Sequence, residues 1–124
     1  MGQATCASDS LARAASLGVA SLYELQRDDG GWGVWESVPL DTAVALRELA
    51  LDDAAAHRAR ITRAVKLLLS QQGTDGSWPA TPWIKMDVGR AAGRVLRTLT
   101  HGSVPVTTAF CLRALWTARR YLQA

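Results

Sequence analysis

Three kinds of side chain in this sequence could do chemistry, and the carboxylates come first. Asp41 opens the run D-T-A-V-A-L, and Asp87 precedes a run with apolar residues at Val88, Ala91, Ala92, Val95, Leu96 and Leu99. A carboxyl group held in an apolar cavity keeps its proton to higher pH and becomes a usable acid. The same residue at the start of a helix is an N-cap, accepting hydrogen bonds from free backbone amides. Both roles are open to Asp41, and Asp87 stands where it would cap a following helix. Arginines come second. On a helix, Arg90, Arg94 and Arg97 would share one face, and such a stripe can grip a diphosphate through charge-assisted hydrogen bonds. Thiol and imidazole come last. His101 and Cys111 flank a Gly-Ser-Val-Pro turn, the nearest approach to a zinc-ligand set, while His57 stands alone in "AAAHRAR". An isolated His or Cys in such places is structural as a rule. P-loop, G-x-G-x-x-G, G-x-S-x-G, H-E-x-x-H and zinc-finger patterns are absent, so neither a metal nor a cofactor is expected.

Composition narrows the elements that must position these groups. The chain has 124 residues, enough for one domain, with roughly the first 8 expected to be flexible. Its 21 alanines, with few Ile, Tyr and Phe, favour helix over strand. Net charge is only +3, but no acid follows Asp87, and six arginines do. That basic third suits an acidic partner, a phosphate group or a solvated surface. Aromatics do not interleave with the arginines and no recognition module is present, so nucleic acid is not expected as a partner. Cys6 and Cys111 lack C-x-x-C partners and read as reduced thiols. No apolar run approaches the roughly 20 residues of a membrane span. The N-terminus lacks the pattern of a signal peptide, and the expected location is cytoplasmic.

The decisive pattern is an internal repeat. Gln26, Gly30 and Trp32 form Q-x3-G-x-W, and Gln72, Gly76 and Trp78 form it again 46 positions later. Val19 and Leu22 before the first copy match Val65 and Leu68 before the second. After each copy comes T-A-x-x-L-R-x-L, from Thr42 to Leu49 and from Thr108 to Leu115. Gly lets the chain reverse sharply, and Trp can lie across helix ends and bury a large area. The repeat therefore predicts helical hairpins stapled by Trp32 and Trp78, with helices near 9–26, 41–51, 55–72, 88–100 and 106–122. The fold class expected is all-α.

These paired turns, with "DTAVAL" and "VTTAFCLRALWTA", resemble the squalene–hopene cyclase and protein prenyltransferase superfamily, whose Q-x3-G-x-W turns are called QW motifs. The resemblance spans about Ala15 to Leu122. It implies helical hairpin repeats forming about half of an α/α toroid. It also implies a terpenoid-cyclase-like activity of isomerase or lyase type on an apolar, isoprenoid-like molecule. Inner-helix starts line the cavity in that family. Asp41 and Asp87 are then the catalytic candidates, and Trp35, Trp83, Thr42, Thr108, Phe110 and Arg90 the substrate-binding ones. Trp35, Trp83, Trp116 and Phe110 could steady a carbocation through their π faces. The family's acid motif D-x-D-D-T-A aligns with Val38 to Ala43, so Leu40 stands at the proton-donor position. A half ring would leave apolar inner surface exposed, so the partners expected are a second copy or another toroid-forming subunit. A non-catalytic binding or subunit protein of the same architecture is the alternative reading.

Overall fold

The computed structural model describes residues 2–80 and 84–122. Four helices form its framework: α1 (Gly2–Leu25), α2 (Pro39–Asp53), α3 (Arg58–Gln71) and α4 (Val104–Leu122). The all-helical expectation holds for that framework. Between α3 and α4, however, the chain forms an antiparallel hairpin of β1 (Ile84–Ala91) and β2 (Arg94–His101) where a fifth helix was expected.

Local chemistry accounts for the helix boundaries. Pro39 occupies the first turn of α2, where its fixed φ suits the helix and its missing N–H is no loss. The N-cap is Val38, and Asp41 lies in the first turn instead of capping it. The sequence pattern had placed the helix start two residues late. Asp41 still carries negative charge near the positive end of the helix dipole. On α3, Ile61, Ala64 and Leu68 recur at helical spacing and are buried. Between them α2 and α3 turn over Ala54 to His57, with the Asp53 carboxylate accepting from the Ala56 amide.

A single core joins these helices. Leu46, Leu49, Ile61 and Leu68 are fully buried, Trp32 and Trp78 close the cluster, and Cys111, Ala114 and Ala118 supply the α4 side. Small residues on α4 let it lie close against α2, which is its main partner. Val19, Leu22 and Tyr23 pack the C-terminal part of α1 onto this core. By contrast, residues 7–18 of α1 are almost entirely exposed.

The hairpin is the main correction to the sequence reading. Ala92 and Gly93 form its two-residue turn, and both have positive φ, 53° and 78°. That is the geometry whose twist matches paired strands. Gly89 also has positive φ, 75°, which no α-helix accommodates. Of the apolar residues that suggested a 3.6-residue period, Val88, Val95 and Leu99 fall on one face of the hairpin and Ala91 and Leu96 on the other, and Val88 and Val95 are β-branched residues suited to strands. In register, Arg90 pairs with Val95 and Val88 with Arg97. Arg94 and Arg97 lie three apart on one strand and fall on opposite faces, so the three arginines do not share one face; by the register only Arg90 and Arg97 do. Asp87, expected to cap a helix, lies within β1 and is exposed.

Candidate functional site

The repeated turn is built the same way twice. In the first copy the Trp32 indole N–H donates to the Leu22 carbonyl at 3.0 Å, tying the turn to the end of α1. Its backbone N–H donates to the Thr42 hydroxyl at 3.1 Å, tying it to α2. In the second copy Trp78 donates to the Leu68 carbonyl at 2.8 Å and to the Thr108 hydroxyl at 3.1 Å. Gln26 donates to the Gly30 carbonyl at 2.9 Å, and Gln72 to the Gly76 carbonyl at 2.8 Å. Gly30 and Gly76 both sit at positive φ, 96° and 88°. In each turn an aspartate accepts from the backbone two residues on, Asp29 from Gly31 and Asp75 from Ser77. The Ser37 hydroxyl, the Gly31 amide and the Arg27 charge hold the Asp29 carboxyl below its ordinary pKa. The Ser77 amide and hydroxyl do the same for Asp75.

Around the first turn these elements enclose an apolar groove of about 910 Å³. Leu22 and Leu25 of α1 form one wall, Trp32 and Val34 of the turn another, and Leu40, Val44 and Ala45 of α2 the floor. Val106 and Phe110 of α4 complete it. Two carboxylates, Asp41 and Glu48, stand in this lining. Burial against the apolar wall raises the pKa of Asp41, although the residue as a whole reaches solvent. Arg27 also borders the groove, but its guanidinium is engaged with the carbonyls of Gly33 and Trp35, at 3.4 and 2.9 Å. That pairing holds the loop after Trp32.

Of the residues singled out in the sequence, Asp41 and Phe110 come together in the groove. Thr42 and Thr108 do not line it; their hydroxyls accept from the two tryptophan amides, and Thr42 is fully buried. Trp35 is 90% exposed and outside the lining. Asp87 and Arg90 lie on β1, which contributes nothing to the groove. Trp83 lies outside the described residues. Sequence reasoning missed Leu22, Leu25, Val34, Val44, Glu48 and Val106. A signal existed for two of them: Val44 and Glu48 fall, with Leu40, on the α2 face opposite the buried Leu46 and Leu49, at helical spacing.

Two isolated groups have structural partners. Cys111 is buried, its pKa raised to about 12 by burial, and its thiol donates to the Pro39 carbonyl. His57 is also buried, between the Tyr23 hydroxyl on Nδ1 and the Asp52 carboxylate 2.8 Å from Nε2. The tautomer carrying its proton on Nε2 satisfies both neighbours. Arg60 stacks over the Tyr23 ring and donates to the Gln26 side chain at 3.0 Å. This network fastens α1 to the start of α3. Among the described residues no group of three or more His, Cys, Asp or Glu is placed to hold a metal ion. No helix among them is long and apolar enough to cross a membrane.

No family model matches the chain, and no curated protein matches it.

Proposed function

We propose that this protein is a terpenoid-cyclase-like α/α domain, its helical hairpins forming an arc of a toroid, and that it binds an apolar, isoprenoid-like molecule in the groove at its first turn. The observation that carries the reading is the groove itself: a space of about 910 Å³ walled by Leu, Val, Trp and Phe from three helices and one turn. That size and lining suit a small apolar ligand. The two carboxylates and the engaged Arg27 also distinguish among isoprenoids. An uncharged alcohol or hydrocarbon fits, whereas a diphosphate would meet Asp41 and Glu48 with no unengaged guanidinium in the lining to offset them.

Cyclisation would add one requirement, a proton donor at the apolar wall. Asp41 meets it in position and in the direction of its pKa. The test is equilibrium binding of farnesol, with farnesyl diphosphate as the charged comparison. Farnesol should bind, the diphosphate should bind at least tenfold more weakly, and Val44→Asp or Phe110→Asp should abolish farnesol binding. Absence of farnesol binding, or binding that neither variant changes, would remove the groove as the ligand site. Conversion of a bound polyene by the native protein but not by Asp41→Asn would extend the reading to catalysis.

A further inference from the structure

The repeat gives each position on α4 an equivalent on α2, 66 residues earlier, as Thr108 answers to Thr42. Burial across that equivalence is unequal in a regular way. Ala43, Leu46 and Ala50 of α2 are buried, covered within the chain. Their equivalents on α4 are Ala109, Leu112 and Trp116, and all three are exposed, Leu112 at 54% and Trp116 at 65%. The imbalance runs the other way on the opposite side. Thr107, Cys111, Ala114 and Ala118 of α4 are buried. Their equivalents on α2 are Asp41, Ala45, Glu48 and Asp52, of which the three acids are exposed. So α4 lacks the neighbour that α2 has on one side, and α2 lacks on its other side the neighbour that α4 has.

The two open faces are complementary. On α4 the apolar stripe Ala109, Leu112 and Trp116 is flanked by Arg113, Arg119 and Arg120, and α4 contains no acid. On α2 the open face carries Asp41 and Glu48, which also border the apolar groove, and Asp52, one of whose oxygens lies 2.8 Å from His57. Beside it, Ala15 and Gly18 of α1 with Leu51, Glu48 and Asp52 of α2 bound a recess of about 400 Å³. Equivalence also sets the register. Glu48 to Asp52 correspond to Ala114 to Ala118, the turn of α4 that carries Trp116, so a helix following α4 as α4 follows α2 would bring the recess level with that indole.

The geometry points to a second copy of this chain as the occupant: the α4 face of one copy docks on the α1–α2 face of another, with Trp116 in the recess and Arg113 and Arg120 opposite Glu48 and Asp52. The contact is head-to-tail, and it closes on itself when two copies satisfy both faces at once. It continues the α2–α4 packing already present within the chain. This inference does not depend on what the groove binds.

Sedimentation equilibrium over a concentration series tests it, using the native protein, an Arg113→Glu variant, a Glu48→Arg variant and a Trp116→Ala variant. All the altered residues are exposed, and circular dichroism checks that each variant keeps its helices. The native chain should associate, and each variant alone should associate at least tenfold more weakly. An equimolar mixture of the two charge-reversed variants should regain association, because every contact in it again joins opposite charges. A single-chain mass for the native protein at every concentration would overturn the inference. So would association that the variants leave unaltered, or a mixture that remains monomeric.

Discussion

The two turns close with matching hydrogen bonds although the chain between Trp and Thr differs threefold in length. From Trp32 the chain reaches Thr42 through a short loop and the first turn of α2; from Trp78 it reaches Thr108 only after residues 81–83, the β-hairpin and the first turn of α4. Yet each Trp amide meets its Thr hydroxyl at 3.1 Å and each indole meets a carbonyl ten residues earlier. The turn is thus a self-sufficient joint, specified by Gln, Gly, Trp and a Thr on the next helix, α2 or α4. What differs is its surroundings. The first copy packs its glycines against α3 and borders the groove, while the second is open to solvent on its glycine side.

If the joints are equal, removing either staple should cost a similar large amount. Trp32 and Trp78 are both buried, and Trp→Ala in such a position costs about 3–5 kcal/mol. Urea unfolding of Trp32→Ala and Trp78→Ala should show losses of that order in both. A loss under about 1 kcal/mol for Trp78→Ala would show that the second joint only resembles the first, since so small a change cannot include a lost aromatic core residue.

The glycines should separate the two joints. Alanine at Gly30 would have its Cβ 2.8 Å from the Arg63 carbonyl oxygen, besides the cost of positive φ. At Gly76 the nearest atom is the far end of the Gln72 side chain at 3.9 Å, so backbone conformation alone opposes the change. Gly76→Ala should therefore cost about 1–2 kcal/mol, the left-handed penalty, and Gly30→Ala clearly more. Equal costs in thermal unfolding would mean that α3 yields at Arg63 and that the close approach there is soft.

Hydroxyl deletion gives a smaller contrast. Thr42→Val leaves the Trp32 amide unpaired in a fully buried place, with a cost of about 1–3 kcal/mol. Thr108 is only half-buried, so water can replace its hydroxyl and Thr108→Val should cost about 1 kcal/mol or less.

These contrasts also show what the sequence could disclose. Gln26, Gly30 and Trp32 were legible because two copies at one offset expose a joint that either copy alone would hide; Thr42 reads as substrate-binding instead, since its repeat at Thr108 falls at a different offset. The hairpin was not, because Val88, Ala91, Ala92, Val95 and Leu99 satisfy a helical period, and only the positive φ at Gly89, Ala92 and Gly93 decides against it. Asp41 was legible from its place at the start of the D-T-A-V-A-L run, and Phe110 as an aromatic in the repeated T-A-x-x-L-R-x-L run. Glu48 and Val34 were not, since their place in the groove depends on how α1 and α4 meet α2. Trp35 misled because a tryptophan three residues from a buried one has no sequence mark of being exposed.

The smallest effect, and the one that separates the joints from the groove, is the response to acid. Asp29 and Asp75 accept hydrogen bonds only in the folded chain, and their pKa values lie below the ordinary carboxylate value near 3.8. Their contribution is therefore fully present above that value and is lost as pH falls through their folded values. Asp41 has the opposite sign: burial raises its folded pKa, so its charge opposes folding at neutral pH, and protonation relieves this as pH falls through the raised value. Asp29→Asn and Asp75→Asn should each flatten the loss of stability below about pH 4, as followed by urea midpoints against pH. Asp41→Asn should instead raise the midpoint slightly at pH 7, with the gain over the native chain shrinking as the pH is lowered through the raised pKa. A fall in midpoint at pH 7 for Asp41→Asn would mean that its carboxylate has a favourable partner in the fold. The groove would then lose the feature that makes Asp41 its proposed proton donor.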